Sequence, residues 1–379
     1  MAGQRILKVS EDFRELDEYL HGNGISSLLL VCGRSFRYLR IAEHFDRLEN
    51  KLGVKIVKFS DFQPNPRYET VVKGVEIFRK NNCDCIIAVG GGSAIDVAKC
   101  IKLYSSMTGN GERGEFLCQE SKENKIKFLA MPTTAGTGSE ITRYAVIYYK
   151  GEKQSVMHES IIPDTVLFDT SVLATLPVYQ KKSTMLDALC HAIESFWSVN
   201  STKESKRYSS HAIRLIMANM DGYLNNEEIS NANMFEAAYI AGKAINITQT
   251  TAGHAMCYKL TSLYGVAHGN AAALCVRRLW PWMLSHMEKC IDPRGRDYVE
   301  NTFLELGNII GYEDVVQGAW WFSRLVDELG VSIPWIKTVQ DYEKLSRTVN
   351  PDRLRNNPIA LDTKAVDELY HEILKDKNK

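Results

Sequence analysis

The hydrophobic pattern of this chain changes period near Pro177, and that change limits the folds open to it. Upstream, short apolar-rich runs recur: 27–32 stops at Gly33, 54–59 ends near Pro64, 85–89 ends at Gly90, and 126–131 stops at Pro132. Runs of this length, closed by glycine or proline and followed by polar or helix-patterned stretches, predict parallel strands with crossover helices. Downstream, 182–199, 206–224, 231–247 and 315–329 carry apolar residues at helical spacing, with few strand signals. The chain therefore reads as an α/β domain over 1–178 followed by an all-helical domain over 179–379. At 379 residues it exceeds the usual size of a single hydrophobic core, which also favours two domains. The lysine-rich end, 375–379, reads as a frayed tail.

Two turns at strand ends have the chemistry of an anion cradle. Gly90-Gly91-Gly92-Ser93 follows the third apolar run and opens a helix-patterned stretch that includes Asp96. Glycines let backbone approach a phosphate, and the free N–H groups of a helix start favour its charge. The second turn, 132–140, again follows an apolar run and packs hydroxyls around glycines. Two such turns would line one crevice at the strand ends of an open α/β sheet, and a dinucleotide is its economical occupant.

In the helical half, Asp187 and His191 stand four residues apart and would project from one helix face. His254 and His268 form a second pair, with Gly265 and Gly269 marking a break before the second imidazole. Three nitrogens and one carboxylate suit Fe(II) or Zn(II), and affinity order alone does not choose between them.

Composition narrows the partners. Forty-six basic side chains balance 46 acidic ones, so no global charge calls for nucleic acid or an anionic membrane. No apolar stretch approaches the roughly 20 residues of a membrane span, and the start lacks a signal-peptide core, so the expected location is cytoplasmic. Nine cysteines are scattered without a disulfide-like framework and read as reduced, buried small hydrophobes.

From about Gly33 to the C-terminal region the chain resembles the iron-dependent (group III) alcohol dehydrogenase family. The segments that carry the resemblance are 90–96, 132–140, 187–194, His254-Ala255-Met256 and His268-Gly269. It implies a Rossmann-like nucleotide-binding domain followed by an all-helical metal- and substrate-binding domain, the dehydroquinate synthase-like arrangement. On matching positions it implies Asp187, His191, His254 and His268 as metal ligands. Gly91, Gly92 and Ser93 resemble pyrophosphate contacts, Thr133, Thr134 and Thr137 resemble the adenine and ribose surroundings, and Lys153 resembles the lysine that reaches a cofactor ribose. Asp96 and Ser139 belong to the same cofactor-binding set. The resemblance also implies a small-molecule aldehyde or alcohol substrate and self-association as a dimer or larger assembly.

NAD-preferring relatives often place an acid after the first strand, where this chain has Gly33-Arg34-Ser35. A missing carboxylate removes repulsion toward a 2′-phosphate and Arg34 could pair with one, which favours NADPH over NADH. Many relatives also carry a second histidine four residues after the third ligand, where this chain has Tyr258, so proton delivery would run through Tyr258, water or a cofactor hydroxyl. Tyr258 and Lys259 are the candidate catalytic pair.

Thr250, Thr251 and Lys259 surround the third ligand, and Arg143, Tyr144 and Arg277 supply further polar groups. Such groups suit an aldehyde carrying an anion, because charge-assisted hydrogen bonds to phosphonate are strong when desolvated. The string 250–265 resembles the family's phosphonoacetaldehyde-reducing branch, which makes 2-hydroxyethylphosphonate. The alternatives are a family member acting on an uncharged short-chain aldehyde or diol, and a catalytically silent metal- or nucleotide-binding protein.

Overall fold

The computed structural model describes residues 3–121, 123–336, 338 and 340–375, so the expected frayed tail lies, past Lys375, outside the described residues. Two compact units emerge: the residues up to Thr134 together with Ser139–Thr175, and Ala135–Gly138 together with the residues from Leu176 onward.

The first unit is built on a six-stranded parallel sheet of order β1-β8-β5-β4-β2-β3. Its strands are β1 (Arg5–Lys8), β2 (Ser27–Cys32), β3 (Lys55–Phe59), β4 (Cys85–Gly90), β5 (Lys127–Pro132) and β8 (Thr165–Phe168). Helices α1 (Arg14–Gly22), α2 (Arg40–Leu52), α3 (Tyr68–Lys80) and α4 (Gly92–Ser105) connect them, and α5 (Ser171–Ala174) follows the last strand. β2 and β4 are buried at every residue, as parallel strands covered on both faces must be, which explains their continuous apolar runs. Leu29, Val31, Ile86, Ala88 and Phe128 of the sheet pack with Ile95 and Ile101 of α4 in one core. A separate antiparallel hairpin pairs β6 (Tyr144–Tyr149) with β7 (Glu152–Met157). Its turn residues, Lys150 and Gly151, have φ of 51° and 81°, the left-handed pair whose twist matches a two-residue hairpin.

The four apolar runs coincide with β2 to β5. Strands β1 and β8 and the hairpin carry no comparable signal: β1 is a four-residue edge strand with a single buried side chain, and the hairpin faces are mostly half-exposed.

The second unit is helical. It comprises α6 (Val178–Trp197), α7 (Lys203–Leu224), α8 (Glu228–Thr248), α9 (Ala252–Tyr264), α10 (His268–Ser285), α11 (Arg296–Ile309), α12 (Val315–Glu328), α13 (Gln340–Arg347), α14 (Pro351–Leu354) and α15 (Thr363–Ile373). From Met185 to Trp197 every residue of α6 is buried, so this helix is the axis around which α7, α8 and α10 pack. The first three expected helices begin three or four residues earlier than their apolar pattern, because the opening residues face solvent; α7 starts at the Thr202–Ser205 capping box. Among the described residues no helix is long and apolar enough to cross a membrane. All nine cysteines are free thiols, seven of them buried.

Candidate functional site

Helix α6 presents Asp187, His191 and Glu194 toward the interior of the second unit, each at most 6% exposed. Their spacing of four and then three residues keeps them on one face. His254 comes from the first turn of α9, which ends at Gly265 with φ 69°, and the chain re-enters a helix at His268. The residue after His268 has to be glycine: a Cβ at Gly269 would lie 1.9 Å from the Ser183 carbonyl oxygen and 2.8 Å from the Asp187 Cβ. That close approach of α10 to α6 brings the fourth side chain in.

The four predicted ligands meet at one carboxylate oxygen. Asp187 Oδ1 is 3.3 Å from His254 Nε2, 3.9 Å from His191 Nε2 and 4.0 Å from His268 Nε2. Donor atoms of Asp187, His254 and His268 all lie within 4.8 Å of one another, and the His191 ring stacks on His254 with centroids 4.4 Å apart. Donors about 2.0–2.2 Å from one tetrahedral ion lie about 3.4 Å apart, so Asp187, His254 and His268 fit a single divalent metal of the borderline kind that accepts imidazole and carboxylate, with His191, 3.9 Å from the same carboxylate oxygen, as the candidate fourth ligand.

Glu194 completes the arrangement, and it was not among the residues predicted to act. It is fully buried and takes hydrogen bonds from the Thr251 amide (3.0 Å), the Thr251 hydroxyl (2.7 Å), the His254 amide (3.2 Å) and His254 Nδ1. Trp197 Nε1 in turn donates to Thr251 Oγ1 at 3.0 Å. A carboxylate on the far nitrogen of a ligating histidine fixes its tautomer and aims its near nitrogen. Burial would raise the Glu194 carboxyl, but His254 and the Thr251 hydroxyl hold it below its usual range. Burial would likewise raise Asp187, and the three imidazoles reverse this and hold it well below. Burial pushes His191 down to about 4 despite Asp187, whereas in His254 burial is overridden by Glu194 and Asp187, which bring it up to about 9. A signal for Glu194 did exist in the sequence, three residues past His191 on the ligand face.

The other predicted residues divide. Tyr258, one turn past His254, is partly buried and stacks on the His268 ring at 5.4 Å, and burial raises its phenol well above the usual value. Lys259 sits about 140° round α9 from His254 by helix geometry, away from the ligand face. Thr251 is engaged with Glu194 and Trp197, and the Thr250 carbonyl accepts from Asn356 Nδ2 at 3.1 Å. Arg277 makes a two-pronged ion pair with Asp327, at 2.8 and 3.1 Å. Arg143 pairs with Glu159 at 2.6 Å and lies 3.3 Å from the Tyr144 hydroxyl. These contacts, made with partners 16 to 57 residues away, tie Arg277, Arg143 and Thr251 to other parts of the chain.

In the first unit, α4 opens at Gly92 behind Gly91 with no side-chain cap, leaving first-turn amides at Gly92 and Ser93 facing the loop. Thr133 and Thr134 follow β5, while Thr137 falls in the short stretch that packs with the second unit. Asp96 is occupied: its two oxygens accept from Ser139 Oγ (2.6 Å) and the Val146 amide (3.0 Å), so Asp96 and Ser139 tie α4 to the loop and to the hairpin. Lys153 lies on β7 opposite Tyr148. Gly33 precedes a 3₁₀ turn in which Arg34 and Ser35 are exposed.

Comparison with known proteins agrees with this architecture. The model of the iron-containing alcohol dehydrogenase family matches residues 4–170, and that of the C-terminal domain of the Fe-containing alcohol dehydrogenases matches 181–374. Alcohol dehydrogenase 4 of Schizosaccharomyces pombe is 28% identical over 75% of this chain and 67% of its own length. The NADPH-dependent butanol dehydrogenase of Clostridium saccharobutylicum is 29% identical over 68% of each. Among solved structures, the sulfoacetaldehyde reductase of Bifidobacterium kashiwanohense, crystallised with NAD+, superimposes with a TM-score of 0.84 at 26% identity, covering 98% of this chain and 97% of that one. The chain belongs to the iron-containing alcohol dehydrogenase family of NAD(P)-linked oxidoreductases.

Proposed function

We propose that this enzyme reduces a small anionic aldehyde with NAD(P)H, with phosphonoacetaldehyde to 2-hydroxyethylphosphonate as the first candidate and NADPH as the favoured donor. The observation that carries the reading is the likeness, along 98% of the chain, to a reductase whose named substrate is a two-carbon aldehyde with an anionic head.

Asp187, His191, His254 and His268 would hold Fe(II), with Zn(II) as the alternative, and the ion when bound supplies Lewis acidity to the aldehyde oxygen. Glu194 keeps the His254 imidazole in the tautomer whose Nε2 faces the Asp187 carboxylate. Tyr258, its phenol kept protonated by burial, offers an O–H for delivery to the nascent alcohol oxygen. The first-turn amides of Gly92 and Ser93 would receive the nucleotide's pyrophosphate. Thr133, Thr134, Thr137 and Lys153 would take the adenosine and ribose, and Arg34, with Gly33 and Ser35, a 2′-phosphate. Asp96 and Ser139 would hold that loop's shape.

One observation favours a neutral short-chain aldehyde instead: the Arg143 and Arg277 charges are already met by Glu159 and Asp327. Initial rates with NADPH and NADH separate the readings when Fe(II)-loaded enzyme is given phosphonoacetaldehyde, propanal and glycolaldehyde at matched concentrations. The anionic reading expects the largest kcat/KM for phosphonoacetaldehyde, and equal values for propanal would discard it.

A further inference from the structure

Exposed cations on several helices of this chain sit one turn from an acid of their own helix: Arg47 with Glu43, Arg296 with Glu300, Arg347 with Glu343 and Lys364 with Glu368. Helix α7 breaks that habit. Lys203, Arg207, Ser210 and Arg214 follow one another at spacings of four, three and four residues, so they share a face, with Lys206 at its border. No acid stands three or four residues from Lys203, Lys206 or Arg214. Arg207 has Glu204 at that distance, but the Glu204 carboxylate accepts from the Tyr208 hydroxyl at 2.9 Å. Among the described residues Lys203 and Arg214, both exposed, have neither a hydrogen bond nor an ion pair, and Arg207 only lies over the Tyr208 ring, 5.4 Å from its centroid.

This face lines a groove of about 410 Å³, to which α11 contributes Glu305 and Asn308. That volume is within the usual range for small-molecule sites, about 300–1,000 Å³. Lys206 is a fixed part of the wall. Its ammonium donates to Thr302 Oγ1 and Glu305 Oε2, both at 2.9 Å, and lies over the Phe196 and Tyr298 rings, while its side chain is only 15% exposed. This pair is internally neutral and uses the one acid that lines the groove. The charges of Lys203, Arg207 and Arg214 are therefore left over, with the neutral Asn308 amide opposite them. The excess is local, since the whole chain has a formal net charge of zero. A cleft lined by one sign of charge concentrates ions of the other.

We propose that the groove between α7 and α11 is a binding site for a small anion carrying two or more linked phosphates. It is built from none of the residues assigned to the metal, the cofactor or the aldehyde, so it is additional to them and stands whichever aldehyde the enzyme reduces. Two of the three uncompensated cations are arginines, whose planar fork pairs with phosphate oxygens two at a time. From Lys203 to Arg214 the helix advances about 16 Å, at about 1.5 Å per residue, which is further than one phosphate reaches. Linked phosphates meet several of these charges at once, whereas a single one meets a neighbouring pair.

Titration calorimetry tests this on Fe(II)-loaded enzyme saturated with its nicotinamide nucleotide, so that the glycine loop of the first unit is already filled. The probes are inorganic tripolyphosphate, ATP and orthophosphate, with iron content checked after each run. Wild type is expected to bind tripolyphosphate at one site per chain, about 10-fold or more tighter than orthophosphate and more weakly as salt rises. R207Q/R214Q is expected to weaken it about 10- to 100-fold. The control R47Q/R347Q removes the same charge from arginines that are matched on other helices, and is expected to stay within about twofold of wild type. ATP binding as tightly as tripolyphosphate identifies a nucleotide as the ligand class, and weaker ATP identifies a free polyphosphate; either supports the site. No binding by wild type, an unchanged R207Q/R214Q, or equal weakening in both double variants overturns it, the last because attraction to net charge alone would then account for the binding. Thermal melts report folding. Should R207Q/R214Q melt far below wild type, K203Q decides: weaker tripolyphosphate binding supports the site, and an unchanged Kd overturns it.

Discussion

Glu194 accepts four hydrogen bonds, one of them from His254 Nδ1, and in the sequence only its place three residues past His191 sets it apart from an acid on a solvated helix. Replacing it leaves the metal ligands intact but frees the imidazole to rotate. E194A is expected to bind Fe(II) about 10- to 100-fold more weakly, with E194Q in between, as read by metal titration. Gly269 makes the complementary point about space. A methyl group there collides with backbone, not with a flexible tip, so G269A is expected to lose about 1–3 kcal/mol of stability in denaturant melts together with metal affinity. The four candidate ligands could be picked out because residue type and spacing are both written in the sequence. Duties set by partners 16 to 57 residues away could not: Arg143 finds Glu159, Arg277 finds Asp327, and Thr251 finds Glu194.

At the level of elements, the buried strands β2, β4 and β5 announced themselves because both faces need apolar side chains; edge strand β3 carries an apolar run with only Phe59 buried, and edge strand β1 and the hairpin carry none. The short 3₁₀ turn Ser139–Ile141 left no trace in the pattern either, although it buries a titratable acid. Burial pushes Glu140 up to about 7, partly offset by its own backbone N–H and by Lys99. In the folded state the carboxyl therefore holds its proton over a range where the unfolded chain has released it. Stability should fall as pH rises from about 4.5 to about 7, and E140Q should flatten that slope in melts across the window. Lys99 on α4 behaves in the opposite sense. Burial lowers it to about 8, against the pull of Asp96 and Glu140, while its ammonium donates to the Thr142 and Tyr144 carbonyls at 2.6 and 2.7 Å. Its contribution should rise with pH from about 8 to about 10.5, where the unfolded lysine still binds its proton and the folded one does not.

For the whole molecule, the division into an α/β unit and a helical unit follows from the change of hydrophobic period, which is why it could be read so early. The short stretch 135–138 departs from that simple picture, since it lies in the sequence of the first unit but packs with the second. All four candidate ligands belong to the second unit. A bound ion should therefore stabilise that unit by about 4 kcal/mol at a free concentration a thousand times its Kd, and leave the other unit's intrinsic stability unchanged. Calorimetry with and without chelator is expected to shift only the helical unit's transition.

Nature has also supplied the dye for that experiment. The chain's six tryptophans, the first at 197 and the last at 335, all lie in the helical unit, and the indole N–H of Trp197 is bonded to the threonine that steadies Glu194. Ultraviolet emission is thus a private channel to one half of the protein, and its wavelength should drift as iron is withdrawn, before any helix melts.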